Sequence, residues 1–284
     1  MLVEIKLVDG EREFLLRPRP GIADSAWDFG FPDIRVTSEV RTDDDGEDDT
    51  TSFHGASAIT AKLRLYQGST RNILDELRGW CAPGLRPYLV VDDDEWTGPR
   101  RVRLRCDQHS APIESGTGAM RDVQLGWKAP AGQWEALDEV EVPDLSADIP
   151  SSVGLSLPVS LPVALTPTLS VGGATVTGQG NVAAHFTVRM YGPCAAPRLI
   201  NETTGEAIGF TSSLVLGAGE YVEVDTRDKT AHLLSDPGIS RLDAFDFTAS
   251  SWWQIQPGTQ QVRYAPATAS AGSVAQITYR PAWL

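Results

Sequence analysis

Along the first 135 residues, apolar and polar positions alternate in short runs, the pattern of half-buried strands. Leu2–Val8 alternates, Asp9-Gly10 supplies a turn, and Glu13–Leu16 returns as a second strand. Ala58–Tyr66 sets Ile59, Ala61, Leu63 and Leu65 on one face. Tyr88–Val91, Arg101–Cys106 and Val123–Trp127 continue the pattern. One segment changes period. Ser69 or Thr70 can cap a helix in which Ile73, Leu74, Leu77 and Trp80 or Cys81 fall on one side, and Gly84-Leu-Arg-Pro87 stops it. From Asn181 to Leu284 the strand pattern resumes without a helix. His185–Met190, Arg198–Asn201, Tyr221–Asp225, Ala231–Leu234, Gln261–Tyr264 and Ser273–Tyr279 are separated by the turn signals Thr204-Gly205, Gly217-Ala-Gly219, Asp236-Pro-Gly238 and Pro257-Gly258. Short strands at this spacing predict a sandwich.

Between these halves, residues 136–180 hold an acidic run and then a Leu-Pro-Val repeat. Proline at that density favours an extended connector over a compact element. The division expected is therefore 1–135, a linker at 136–180, and 181–284. A chain of 284 residues is long enough for two such domains.

Charge narrows the functions available. The chain has 24 Lys+Arg and 38 Asp+Glu, a net charge of −14. Residues 1–150 carry 17 basic and 29 acidic groups, so −12 of it lies there. A surface this acidic repels phosphate, which argues against a sequence-specific nucleic-acid reader. The uncharged stretch Ile149–Val188 is broken by Pro150, Pro158, Pro162 and Pro167, so no membrane insertion is expected. Glu4 and the lack of a basic segment before an apolar core argue against a signal peptide. Cys81, Cys106 and Cys194 lie far apart and lack CxxC spacing, which reads as buried free thiols in a reducing cytoplasm.

Candidate chemistry is sparse. His54, His109, His185 and His232 stand alone, without HExxH or a second ligand at metal spacing. No GxSxG elbow is present, and Gly178-Gln-Gly180 precedes no helix that could cradle phosphate. Asp43–Asp49 suggests a calcium loop, but from Asp43 the sixth and twelfth positions are Asp48 and His54, not Gly and Glu. It reads as a solvated acidic turn, and Asp92–Glu95 as a hairpin tip. Trp252-Trp253 offers aromatic faces to a sugar ring or a partner, although neighbours on a strand face opposite sides. No catalytic, cofactor or metal set emerges.

A resemblance runs through the carboxy-terminal third. Its blocks are Gly180-Asn181, Tyr191-Gly192, Ala196-Pro-Arg-Leu-Ile-Asn-Glu-Thr-Thr-Gly205, Leu216-Gly-Ala-Gly-Glu-Tyr-Val-Glu-Val-Asp225, Ser251-Trp-Trp-Gln-Ile-Gln-Pro-Gly258 and Ile277-Thr-Tyr-Arg280. Together they resemble the distal tail (Dit), or minor tail, proteins of long-tailed, non-contractile bacteriophages. Gly30-Phe-Pro-Asp33 and Leu125-Gly-Trp-Lys-Ala-Pro130 agree with this in the first part. The resemblance implies a mainly β chain: an amino-terminal β split barrel with one α-helix, and a carboxy-terminal galectin-like β-sandwich. It also implies a ring, commonly of six copies, at the virion tail tip, made in the cytoplasm of the host bacterium. Expected partners are the chain itself, the tail tube protein, a tail hub or tail-associated protein, and a receptor-binding protein. In this reading Gly192, Gly205, Gly219 and Gly258 permit turns, and Asp225 satisfies backbone donors at a strand end.

Three functions from different classes are thus in play: a structural ring at the tail tip that lets DNA through, a carbohydrate-binding module using Trp252 or Trp253, and a cell-wall hydrolase. The last lacks a located acid/base pair or zinc set.

Overall fold

The computed structural model describes residues 2–40, 47–66, 70–110, 120–147, 173–233 and 236–284. The acidic turn at residues 41–46 and most of the Pro-rich segment, residues 148–172, lie outside them. Two compact units result: Met1–Leu137 with Ala282–Leu284, and Asp138–Pro281.

In the first unit the chain runs through β1 (Leu2–Asp9), β2 (Arg12–Arg17), β3 (Ile22–Asp28), β4 (Pro32–Val40) and β5 (Glu47–Tyr66). Helix α1 (Thr70–Trp80) follows, then β6 (Tyr88–Asp93), β7 (Arg100–Arg103), β8 (Arg105–Ser110), β9 (Met120–Ala129) and β10 (Trp134–Ala136). One sheet has the order β2-β1-β6-β7-β10 and ends on the last two-residue strand, Ala282–Trp283; the other has the order β3-β5-β9-β8, with β4 added to β5. Asp92–Glu95 does sit at the β6–β7 connection. The expected strand Arg101–Cys106 divides at Leu104 into β7 and β8, which belong to different sheets. Leu104 is fully buried at this corner, and its N–H donates to the Pro87 carbonyl at 2.8 Å.

One core joins both sheets. Ile5, Leu7, Phe14 and Leu16 meet Ile59, Leu63, Leu65, Val123, Leu125 and Trp127, and α1 adds Ile73, Leu74, Leu77 and Trp80. These are the alternating and the helical positions read from the sequence. Neither sheet closes on itself, so the split barrel takes the form of two open sheets over a shared core.

The second unit begins with β11 (Val140–Glu141), β12 (Leu145–Ser146) and β13 (Gly173–Gly178), so both flanks of the expected linker are paired strands. It continues with β14 (Phe186–Tyr191), β15 (Cys194–Ala195), β16 (Arg198–Asn201), β17 (Ala207–Gly209), β18 (Val215–Leu216), β19 (Tyr221–Asp225), β20 (Thr230–Leu233) and β21 (Asp236–Ser240). After a short 3-10 turn come β22 (Gly258–Tyr264), β23 (Thr268–Ala269) and β24 (Val274–Tyr279). A sheet ordered β11-β24-β14-β19-β20-β21, with β12 also on β24, faces one ordered β13-β22-β16-β17; a small sheet, β18-β15-β23, completes the unit. Tyr279 Oη donates to the Thr177 carbonyl at 2.7 Å and Tyr264 Oη to that of Tyr191 at 3.3 Å, each bond crossing between the two larger sheets. Asp236-Pro-Gly238, expected as a turn, lies inside β21. That strand is at the sheet edge, where proline's missing N–H costs no ladder bond.

Candidate functional site

The first unit contains a two-stranded arm. Strand β5 pairs with β9 over Ser57–Tyr66 and with β3 over Thr60–Leu65, but its opening half pairs only with β4. A two-stranded ribbon gains little stability alone, so what anchors it matters. At its base, Gly30 lies so close to Ala58 that a Cβ would sit 2.4 Å from the Ala58 carbonyl oxygen. Asp28 accepts the Gly30 N–H at 3.0 Å, and the Ser57 hydroxyl donates to the Gly30 carbonyl. Gly132, at φ +65°, faces the Gly55 carbonyl oxygen just as closely.

Aromatic rings surround this anchor. Trp27 stacks on Phe29 at 5.8 Å and on Trp127 at 6.4 Å, while Trp134 meets Phe29 and Trp96 edge-on. The Arg100 guanidinium lies over Trp96 at 4.4 Å and Trp283 at 4.1 Å, and burial lowers its pKa. Asp28, Phe31, Trp96, Arg100 and Trp134 line a cleft of about 310 Å³ here.

Near the anchor, large apolar side chains are uncovered. Phe31 is 87% exposed, Ile34 68%, and Val36 and Phe53 56% each. These are four of the seven large apolar residues exposed among the described residues, so the apolar surface is concentrated. Register assigns the faces. Ile34, opposite His54, and Val36 share one face, while Phe53, opposite Arg35, lies on the other. The sequence reading missed this feature because alternation in β4 signals burial that the unit itself does not supply.

In the second unit the two tryptophans part, although neither lies in a strand. Trp253 is 3% exposed against Phe186, with ring centroids 4.4 Å apart, so it is not available as a contact. Trp252 is half-buried and stacks on Phe245 at 4.7 Å and 3°. Phe245 in turn touches Phe247, which is 64% exposed and went unnoticed in the sequence. The remaining motif residues are structural. Gly205, Gly219 and Gly258 have positive φ, and a Cβ on Gly192 would meet the Gly217 carbonyl oxygen at 2.4 Å. Asp225 accepts the N–H groups of Arg227 and Asp228 at 2.7 and 3.1 Å. His185 is hydrogen-bonded to Gln254. Among the described residues no three His, Cys, Asp or Glu gather into a metal-binding group, and no helix is long and apolar enough to cross a membrane.

Fold and surfaces together define a two-unit β protein whose prominent features suit assembly. Residues 177–283 match the family described as "Siphovirus-type tail component, C-terminal domain". No curated protein matches the chain in sequence. Among solved structures, the chain is similar to SPP1 Dit (gp 19.1), a hub adsorption apparatus protein of phages infecting Gram-positive bacteria, with 12% identity, 99% of each chain covered and a TM-score of 0.67. It is also similar to the phage P2 baseplate in its activated conformation, with 11% identity, 98% and 97% of the two chains covered, and a TM-score of 0.55 with Ca. With Sr the TM-score is 0.54. The chain as a whole thus has the fold seen in SPP1 Dit, and the family match falls within its second unit and last strand.

Proposed function

We propose that the chain is a structural tail-tip protein whose first units assemble into a closed ring of six copies between the tail tube and the adsorption apparatus. Through the lumen of this ring the genome passes. The observation that carries the reading is the family match over residues 177–283; the whole-chain likeness in fold to a hub protein supports it. The arm supplies a means of assembly. A ribbon with exposed Ile34, Val36 and Phe53 and unpaired edges is stabilised by inserting against a second copy, and repetition of one heterologous contact closes a ring. Neighbours in the tail are then the tube protein, a hub or tail-associated protein and a receptor-binding protein. The acidic balance of residues 1–150 suits a conduit whose wall does not hold phosphate.

Native mass spectrometry and light scattering test the ring: six protomers are expected. Replacing Ile34 and Phe53 together with Ser is expected to weaken association at least tenfold while leaving the circular dichroism of the protomer unchanged. A protein that stays monomeric at high concentration and is missing from purified virions overturns the proposal.

A second reading rests on the Phe245–Trp252 stack beside exposed Phe247, a surface that can receive the apolar face of a sugar. Glycan binding that is lost in Trp252→Ala supports it. It is compatible with the ring, since the two uses lie in different units.

A further inference from the structure

One arginine in the cleft at the base of the arm is held by rings and not by acceptors. Arg100 opens β7, in register with Val91 and Ala136. Trp96 reaches it from the β6–β7 connection and Trp283 from the last strand of the chain. Its guanidinium carbon lies 4.4 and 4.1 Å from the two ring centroids. Its Nε is buried and, among the described residues, meets no hydrogen-bond partner. The neighbouring Arg101, by contrast, is paired with Glu135 at 3.3 Å. Asp28 also lines the cleft, but its carboxylate accepts the Gly30 N–H at 3.0 Å, and it forms no ion pair with Arg100 among the described residues. Indole rings take up the faces of a guanidinium and leave its in-plane N–H fork for a carboxylate. A cation drawn partly out of water is costly until such an acceptor arrives.

We propose that this cleft docks a partner polypeptide through an aromatic residue with Asp or Glu beside it. The carboxylate accepts the N–H groups of Arg100, and the aromatic side chain lies against Phe29 and Trp134 inside the cleft. Size and charge both select this occupant. A cleft of about 310 Å³ is at the small end of ligand sites and suits a single ring with its carboxylate. Apolar surface continues at the rim to Phe31, which is 87% exposed, so the complementary surface is longer than a free small acid. The acidic balance of residues 1–150 repels an acidic partner at long range, but salt screens that repulsion and acts less on a partly buried contact. Arg100 is therefore the short-range charge that selects the carboxylate. The assignment does not rest on a ring of six, since every residue named belongs to the first unit of one copy.

The probes are two capped peptides, acetyl-Gly-Phe-Asp-Gly-amide and its Asn counterpart. Each is titrated into the full-length protein at about 0.15 M salt, where exposed charges are screened, and binding is followed by tryptophan fluorescence. The Asp peptide should bind about tenfold more tightly than the Asn peptide, and Arg100→Gln should remove that preference. Should the variant fold poorly, the wild-type protein decides the matter through phenylglyoxal, which condenses with guanidinium groups. Saturating Asp peptide should protect Arg100 in the peptide map and leave exposed Arg103 reactive. Equal binding of the two peptides, binding of neither, or unchanged modification of Arg100 would each overturn the proposal. Protection by phenylacetate but not by the Asp peptide would assign the cleft to a free small acid and overturn it as well. A strictly monomeric protein that binds the Asp peptide upholds the docking site while the ring fails.

Discussion

Asn201 holds its turn with every polar atom of one buried amide. Its Nδ2 donates to Gln260 Oε1 at 3.0 Å, and its Oδ1 accepts the N–H groups of Thr203 and Thr204 at 3.0 and 3.2 Å. The residue is fully buried, so Asn201→Ala leaves the buried Gln260 amide without this partner and removes the acceptor of the Thr203 and Thr204 N–H groups. The expected cost is about 1–3 kcal/mol, read as a lower thermal midpoint by near-ultraviolet circular dichroism. Tyr264 is a second such residue. Burial, and then its bond to the Cys194 thiol, raises the phenol above its ordinary value of 10.0. The native state therefore keeps a proton that the unfolded chain loses. The stabilisation is complete below about pH 10 and falls away as the pH climbs past it. Urea midpoints measured from pH 7 upward should drop above that point, and Tyr264→Phe should flatten the drop.

At the scale of elements, α1 and the β4–β5 arm are opposites. The helix presents Ile73, Leu74, Leu77 and Trp80 to the core, the positions its 3.6-residue period marks in the sequence. Leu77 is 1% exposed, so Leu77→Ala should cost about 2–5 kcal/mol in chemical unfolding. The arm left a weaker trace. Only Ala58–Tyr66 was legible within the 20-residue strand β5, because Glu47–Ser57 is polar and is ordered by cross-strand pairing to β4. Alternation reports one wet and one dry face, and the arm has apolar groups on both. Likewise the split of β7 from β8 at Leu104 leaves no mark, since an alternating run does not say which sheet each half joins.

For the whole molecule, net charge decides what the surface meets. At −14, with most of the excess in residues 1–150, the protein should not retard duplex DNA in a gel even at about 50 mM salt, where phosphate contacts are strongest. Retardation that weakens as salt rises would count against a lumen that lets DNA slide. Unit boundaries also belong to this scale. The first unit closes with Ala282–Trp283 pairing to β10, after the chain has built the entire second unit. Sequence reading ended the first domain at residue 135 and assigned the last residues to the second. A two-residue strand has no periodicity to betray its partner.

By itself the sequence determined the local matters: mostly strand, one helix and its buried stripe, the glycine turns, and the acidic balance that disfavours nucleic acid. Each follows from short-range sterics, side-chain period or simple charge. Tertiary structure alone decided which distant segments meet. It turned Trp253 inward while leaving Trp252 on Phe245, and left Phe31, Ile34, Val36 and Phe53 uncovered. The physical reason is that exposure and contact depend on strand partners dozens of residues away, and neither propensity nor period carries that information.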